Sequence, residues 1–390
     1  MNILHVISSR GWGGAENAAA YLAKAQIEHG HKAFFFIHSG NKKIKSILDV
    51  NGIPYFSSFD PERKNVFAIK KLIRICAGQK IEIIHTHLGT GCYLGVIAGN
   101  RLKIPVISSI LIFSGFPYYG MADSLFFCSG EAKDFFSRYF SGPVYSSYKP
   151  PLLERLINNS FGLAYRTIPA GEILAGSPIV YLGINESMFI GYKDKVPGFE
   201  NFFNIGMTGR VTEQKGQRYF VEAAEMLLKE NRPVNAPRPL MFHIVGSGDE
   251  EDKLKKLAKT RAIENSFKFW GYRADVRPFV NTFDVAVSCS LNEPLGINNL
   301  EYMFMKKPCV AAASGGIPEI YGDTNILVPP KDPLKLKQAL KKYIGDPALM
   351  AKEAEKGFLR ARAVFGGAKI YAKTMKEYDK TLAGYSCNLK

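Results

Sequence analysis

Residues 203–229 read FNIGMTGRVTEQKGQRYFVEAAEMLLK, and their pattern decides the fold. An apolar, β-prone run from Phe203 to Met207 stops at Thr208-Gly209-Arg210, and a helical pattern runs from about Gly216 to Lys229. Strand, glycine loop and helix in that order make the βα unit of a parallel sheet. Downstream the unit recurs. Met241–Val245 leads into Gly246-Ser247-Gly248 and a charged helix, and Phe267–Trp270 precedes a helix near Val276–Thr282. Strand Val285–Ser288 precedes helix Ile297–Met305, then come strands Cys309–Ala313 and Asn325–Val328, and basic helices close the chain.

Upstream the same grammar opens the sequence. Ile3, Leu4, Val6 and Ile7 form a strand, Gly11-Trp12-Gly13-Gly14 breaks it, and Ala15–Gly30 has helical apolar spacing at Ala18, Tyr21, Leu22 and Ala25. Gly30 is a natural helix end. His31–His38 is a second strand, Val66–Cys76 a basic amphipathic helix, and Ile81–Ile84 a buried strand ending at His85-Thr86-His87. A turn-rich region spans about Ser141 to Ser177, Pro178–Tyr181 is a further strand, and Lys193–Glu200 is the linker. The expectation is an α/β chain with two Rossmann-like parallel-sheet domains, 1–192 and 201–359, facing across a cleft. A length of 390 residues suits two cores better than one.

Composition narrows the class. Hydrophobic residues are 46% and charged residues 22%, which excludes a disordered chain. The opening MNILHVISS is too short and too uncharged in front to act as a secretory signal. The weakly polar stretch Ile104–Phe127 contains Pro105, Pro117 and Asp123 and reads as buried strand and loop, not a membrane span. Six scattered cysteines with no CxxC pair fit a reducing compartment. His85 and His87 form a close histidine pair, and no metal site is inferred.

The net charge is +16, with +8 in residues 1–150 and +5 in residues 351–390. A basic first domain and tail suggest an anionic partner: a membrane surface, a phosphorylated acceptor or nucleic acid. A merely solvated basic surface is the plainer alternative. No nucleic-acid motif or aromatic stacking platform accompanies the charge, so nucleic acid is disfavoured. Gly11 to Glu16 is not GxGxxG, which disfavours a dinucleotide dehydrogenase.

Three features of the second half bear chemistry. Gly209, Arg210, Lys215 and Gly216 lie between a strand end and a helix start, where free N–H groups and two cations suit a diphosphate. Glu293-Pro-Leu-Gly-Ile-Asn-Asn-Leu-Glu301 places two carboxylates about a glycine loop and helix start. Each carboxylate accepts hydrogen bonds from a vicinal diol, and two so spaced suit the ribose and hexose of one nucleotide sugar. Ser314-Gly-Gly-Ile-Pro-Glu319 is a tight turn after a strand. Taken singly, each is an ordinary loop, cap or solvated helix.

Their order and spacing resemble the GT-B fold retaining glycosyltransferases, the large family called glycosyl transferases group one, which includes bacterial mannosyl-, glucosyl- and heptosyltransferases. The resemblance is densest over GMTGRVTEQKG, HIVGSGDEEDKLKKLA, FWGYRADVRPFVNTFDVAVSCSLNEPLGINNLEYM, KKPCVAAASGGIPEI and ILVPPKDP. At the front, HVISSRGWGGAENAAAYLAKAQIEHGHKA and IIHTHLGT share it. It implies transfer from a nucleotide-diphosphate sugar, with retention and without a metal or other cofactor. Arg210 and Lys215 would hold the diphosphate, Glu293 the transferred sugar and Glu301 the ribose. Leu295, Gly296 and Ile297 would line the phosphates, and Gly246, Tyr272 and Arg273 the base and ribose. Gly13 and Gly14 would let the first domain approach donor and acceptor, and residues 360–390 would cross back onto that domain. Family habit favours uridine over guanosine, and a glycan or lipid-linked acceptor of bacterial lipopolysaccharide or surface polysaccharide synthesis.

The sequence departs from the pattern in four places. No histidine ends Ile104–Ile110, so Ser108, Ser109 or His87 would stand in the family's catalytic place, or the acceptor binds differently. Pro294-Leu295 replace a small residue and an aromatic, Lys306-Lys307 replace a usual glycine, and 141–177 is longer than the usual link. The helix with Lys70, Lys71 and Arg74, and the stretch Lys133–Phe140, are candidate contacts with an anionic membrane, placing the protein peripherally on the cytoplasmic face. Two rivals remain: a GT-B fold nucleotide-sugar epimerase and a non-catalytic nucleotide-sugar-binding protein.

Overall fold

The computed structural model describes every residue except 12, 60–64, 114–115, 141–149, 164–173, 175, 231–237 and 389–390. Most of the turn-rich region 141–177, and Trp12, therefore lie outside the described residues. The chain forms two compact units, Met1–Ile184 with Gly367–Lys390, and Asn185–Gly366.

The first unit runs β1 (Asn2–Ile7), α1 (Gly14–Glu28), β2 (Lys32–His38), α2 (Lys42–Val50), β3 (Tyr55–Ser58), α3 (Val66–Gly78), β4 (Ile83–His87), α4 (Leu88–Leu102), β5 (Val106–Ile110), β6 (Ser124–Phe127), α5 (Gly130–Phe140) and α6 (Leu152–Ser160). The strands form one parallel sheet in the order β3-β2-β1-β4-β5-β6. Such a sheet is covered on both faces, which is why β1, β4 and β5 are buried almost throughout. Pro178–Tyr181, expected as a strand, makes only a bridge between Ile179 and Phe127 beside β6. Proline supplies no N–H there, and the two bonds formed are Phe127 N to Pro178 O and Val180 N to Phe127 O.

Helix α4, LGTGCYLGVIAGNRL, carries little helical signal in sequence because four glycines lower its intrinsic propensity. Packing explains them. A Cβ on Gly95 would stand 2.2 Å from Thr86 Cγ2, and one on Gly99 2.3 Å from Val106 Cγ2. The glycine row lets the helix lie directly on β4 and β5.

The second unit runs β7 (Phe203–Thr208), α7 (Gln217–Leu228), β8 (Leu240–Val245), α8 (Glu251–Thr260), β9 (Phe267–Phe269), α9 (Arg277–Thr282), β10 (Val285–Ser288), α10 (Ile297–Phe304), β11 (Cys309–Ala312), α11 (Ile317–Tyr321), β12 (Ile326–Val328), α12 (Pro333–Gly345) and α13 (Pro347–Phe365). Its parallel sheet has the order β12-β11-β10-β7-β8-β9. Ile205, Phe220, Phe242, Val285, Val310 and Leu340, drawn from strands and helices alike, build its core. Residues 185–192, assigned from sequence to the first domain, belong to the second unit: Arg277 donates to Met188 O and stacks on Tyr192 at 4.7 Å. Residues 360–366 stay with the second unit too, where Arg360 donates to Ile320 O at 2.7 Å.

After Gly366 the chain continues as α14 (Gly367–Asn388), which packs within the first unit. Ile3, Ile83, Ile107, Phe126, Met375 and Tyr378 share a buried cluster there. Among the described residues, no helix is long and apolar enough to cross a membrane, and no disulfide joins any of the six cysteines.

Candidate functional site

In a doubly wound sheet, ligands bind beyond the carboxyl ends of the strands where the strand order reverses. In the second unit that point lies between β7 and β10. The loop after β7 carries Gly209, Arg210 and Lys215, and the loop after β10 carries Glu293. Lys215 Nζ forms a short ion pair with Glu293 Oε2, with both side chains about one-seventh exposed. The topology thus brings together two residues that lie 78 positions apart in sequence.

Backbone bonds hold these loops in register. Leu291 N donates to Gln214 O at 2.8 Å, and Gln214 Nε2 donates to Asn292 O at 2.6 Å. Gln217 Nε2 donates to Arg210 O at 2.7 Å. On the far side, Gly316 N donates to Glu293 O at 2.8 Å, and Ser314 Oγ to Ser290 O at 2.5 Å. Gly216 permits the approach of the first two loops: its φ is +67°, and a Cβ would stand 2.2 Å from Cys289 O.

Arg210 is exposed, and its guanidinium pairs with none of the described residues. Gly246 continues the edge, its N–H donating to Gly271 O at 2.9 Å. Tyr272 and Arg273 follow, both exposed, with Arg273 over the rings of Trp270 at 6.0 Å and Phe279 at 5.7 Å. Pro294, Leu295 and Gly296 are buried, so any contact Leu295 makes with a ligand is through its backbone. Ile297 opens α10 after Gly296, which offers no side-chain cap. Glu301, one turn on, is half-buried, and its carboxylate accepts no hydrogen bond among the described residues. Loss of water, and then the charge of Asp275, push its carboxyl up to about 7.

Every residue expected from sequence to hold the donor in the second half therefore lies on one edge of one sheet. Residues that sequence reasoning missed hold that edge rigid. Asn298 Nδ2 donates to Thr208 O at 3.2 Å, and the Tyr302 hydroxyl sits 2.8 Å from both N and Oγ1 of Thr208. Asn298 and Tyr302 are four apart on α10, so the signal available was a polar pair on one face of a short apolar helix. Lys306, at the site where the family resemblance leads one to expect glycine, adopts φ +52°, the backbone region that favours glycine. Lys307 donates to Asn281 O at 2.7 Å, and burial lowers its ammonium to about 8.

In the first unit the strand order reverses between β1 and β4. Gly13 and Gly14 start α1 after β1, and His87 ends β4. Register places His5 opposite His85, so three histidines, not two, share one sheet face. One ring nitrogen of each lies within 4.8 Å of the others, and five of the six ring nitrogens join a continuous chain of hydrogen bonds. His5 Nδ1 meets His87 Nε2 at 3.0 Å, and His5 Nε2 meets Gln26 Oε1 at 2.8 Å. Gln26 Nε2 donates to the Tyr378 hydroxyl at 3.4 Å, which meets His85 Nδ1 at 2.6 Å, and His85 Nε2 meets Ser109 Oγ at 2.7 Å.

One assignment of protons satisfies every link. Gln26 Oε1 only accepts, so His5 carries its proton on Nε2 and accepts from His87 Nε2–H; Tyr378 donates to His85 Nδ1, and His85 Nε2–H donates to Ser109. Burial keeps all three rings neutral, with His5 lowered to about 4. Ser108, the other candidate, is buried against Thr86 Oγ1 at 2.6 Å and Cys92 Sγ at 3.1 Å.

Comparison with known proteins supplies the class. Residues 203–346 match the family model described as Glycosyl transferases group 1, and residues 12–110 match Glycosyltransferase Family 4. One match falls in each unit and together they take in well over half of the chain, which belongs to this family of glycosyltransferases. A putative glycosyltransferase of Bacillus subtilis, EpsD, is 24% identical over 86% of this chain and 88% of its own length. The lipopolysaccharide core biosynthesis glycosyltransferase LpsE of Rhizobium meliloti is 31% identical over 38% of this chain and 42% of its own length. Among solved structures, Anabaena HepE in complex with UDP superposes with TM-score 0.75 at 20% identity, over 97% of this chain and all of HepE. The fold is GT-B.

Proposed function

We propose that the protein transfers a sugar from a uridine-diphosphate sugar to a glycan or lipid-linked acceptor, with retention at the anomeric carbon and without a metal. The observation that carries this reading is the Lys215–Glu293 pair at the switch point, beside the uncapped start of α10. One ammonium hydrogen is engaged by Glu293, and two remain for phosphate oxygens. The carboxylate keeps lone pairs for hydroxyls of the transferred sugar. Arg210, exposed and unpaired among the described residues, adds the second cation. Solved relatives of the same fold bear UDP and UDP-glucose, which supports uridine as the base.

The reaction breaks the bond between the anomeric carbon and the β-phosphate oxygen. It forms a bond from that carbon to an acceptor hydroxyl oxygen on the same face. The hydroxyl proton passes to the departing phosphate oxygen, and UDP leaves. Fixed cations and N–H dipoles stabilise the charge that grows on the diphosphate, which is where such sites lower the barrier. Gly13 and Gly14 of the first unit are proposed to approach donor and acceptor, and His87 to stand in the family's catalytic place. His87 acts there as a neutral ring.

The acceptor we favour is an intermediate of bacterial lipopolysaccharide or surface polysaccharide synthesis at the inner face of a membrane. Two features support a peripheral, anionic-surface contact. Lys70, Lys71 and Arg74 lie exposed on α3 while Ile69, Leu72 and Cys76 are buried. Phe67 on the same helix, and Phe59, to whose carbonyl Asn65 donates, are each 83% exposed. On α5, Phe136 and Phe140 are buried, while Phe135 and Tyr139 are partly exposed beside the exposed Arg138.

The test is thermal unfolding in the presence of UDP, GDP, ADP, CMP and NAD. A ligand at a hundred times its dissociation constant stabilises a fold by about 2.7 kcal/mol. A selective shift with UDP is expected, followed by release of UDP from UDP-sugars only when an acceptor is supplied. Turnover of donor without any acceptor points to the epimerase, and no shift with any nucleotide removes the reading.

A further inference from the structure

Asn299 has no exposed surface, yet every polar atom of its side chain is committed. Its backbone N and its Nδ2 both donate to Gly296 O, each at 3.0 Å. Its Oδ1 accepts from the Tyr321 hydroxyl at 2.9 Å. A carbonyl only accepts, so the amide has one orientation: Nδ2 toward Gly296, Oδ1 toward Tyr321. Burial keeps the Tyr321 hydroxyl protonated at all ordinary pH, so it remains the donor.

This fixes a peptide plane. In a trans peptide the C=O and the following N–H point in opposite directions. Asn299 pulls the Gly296 carbonyl down into α10 by two bonds, so the Ile297 N–H is aimed outward from the helix start. Gly296 makes the arrangement possible, since its φ is +94° and a Cβ would stand 2.6 Å from Asn299 Nδ2. Tyr321 ends α11, which follows Gly316, whose N–H holds the Glu293 carbonyl at 2.8 Å. Hydrogen bonds and short runs of chain through Glu293, Gly316, Tyr321, Asn299 and Gly296 therefore link the backbone of Glu293 to the helix start.

We infer that Asn299 and Tyr321 are positioning residues for donor transfer, presetting the Ile297 N–H to receive the diphosphate of the nucleotide. The inference rests on the donor reading above. It deepens that reading by separating the diphosphate from the nucleoside: the two residues touch neither sugar nor base and act only through one N–H group. A fixed N–H contributes more to binding an anion than one that must be oriented on binding, because the orienting cost is already met by folding.

The test measures dissociation constants of UDP by calorimetry and of uridine by ligand-observed NMR, on the full chain and on Asn299→Ala and Tyr321→Phe. Tyr321→Phe removes one hydroxyl and keeps the ring, so it stands in if Asn299→Ala does not fold. The expected result is UDP binding weakened about tenfold (about 1.4 kcal/mol) in either variant, with uridine changed less than about twofold. kcat/KM for donor falls at least in step. Equal weakening of UDP and uridine means a general packing role and overturns the inference while leaving the donor reading intact. Unchanged binding of both overturns it likewise. Failure of the unaltered protein to bind UDP at all removes both.

Discussion

Lys215 and Glu293 form an ion pair that closes the switch point of the second sheet, joining the loops after β7 and β10. Neither residue is spent on stabilising a helix or a surface; their shared position is where a diphosphate and its sugar meet in the proposed reaction. Lys215→Ala and Glu293→Gln should each lower turnover at least ~100-fold if each supports the transition state. Steady-state kinetics with the donor found by the unfolding screen checks this. Near-normal turnover in both variants would sink the site assignment.

Glu301 makes nucleotide binding pH-dependent in a definite sense. Its carboxyl titrates at about 7, above the ordinary 4.5, because it loses water and faces Asp275. A ribose diol donates to the ionised form, so binding lowers that value and releases a proton. UDP affinity should therefore be level above about pH 7 and fall as pH drops below it, by at most about tenfold per unit. Glu301→Gln should bind more weakly at about pH 8 and lose this slope. In the unliganded protein the sign reverses for stability: the folded state holds the proton more tightly, so the fold loses stability as pH rises from 4.5 through about 7. Calorimetry from about pH 5.5 to about 8.5 separates the two effects.

Much of this site was legible as sequence, and the reason is local. Strands β7, β8 and β10 are largely apolar runs, and the groups expected to touch ligand sit in the loops directly after them, so strand ends locate them. What was not legible depends on contacts across the fold. Helix α4 hides behind four glycines that only its packing explains. His5 joins His85 and His87 through sheet register, which no spacing rule along the chain reveals. Asn299 looks like any polar residue in a helix until Tyr321, 22 residues on, fixes its amide.

Gly216 offers a test of that tertiary dependence. An added Cβ meets the Cys289 carbonyl in a backbone of φ +67°. Gly216→Ala should destabilise the second unit by roughly 1–3 kcal/mol. Chemical denaturation followed by Trp270 fluorescence, with Trp12 replaced, reads that unit. An unchanged midpoint would show that the loops after β7 and β10 are not held together as closely as described.

The histidine chain predicts acid sensitivity of the first unit. His5 is lowered to about 4 from 6.5, chiefly by burial, and His85 and His87 are lowered well below 6.5. Unfolded histidines take up protons near 6.5 while the folded ones do not. The stability they confer is thus complete above about 6.5 and is lost as pH falls toward about 4. In the second unit His243, also lowered to about 4 by burial, gives a slope of the same sign, which Glu301 opposes, so the first unit reads the effect cleanly. Denaturation midpoints should drop between about pH 7 and about pH 5. Tyr378→Phe should lower the midpoint at both, because it leaves His85 Nδ1 and Gln26 Nε2 without their shared partner.

The basic face of α3 separates charge from insertion in membrane binding. Exposed lysines and arginine near an anionic surface contribute about 1 kcal/mol each, screened by salt, whereas an exposed aromatic contributes by entering the headgroup region. Replacing Lys70, Lys71 and Arg74 by glutamate should abolish co-sedimentation with phosphatidylglycerol vesicles at low salt. Phe67→Ser should weaken it while leaving its salt dependence in place, since the charges remain. Donor binding by the second unit should be untouched in both. If the unaltered protein stays in the supernatant with anionic vesicles at low salt, α3 is an ordinary solvated helix, and the acceptor is to be sought among soluble glycans.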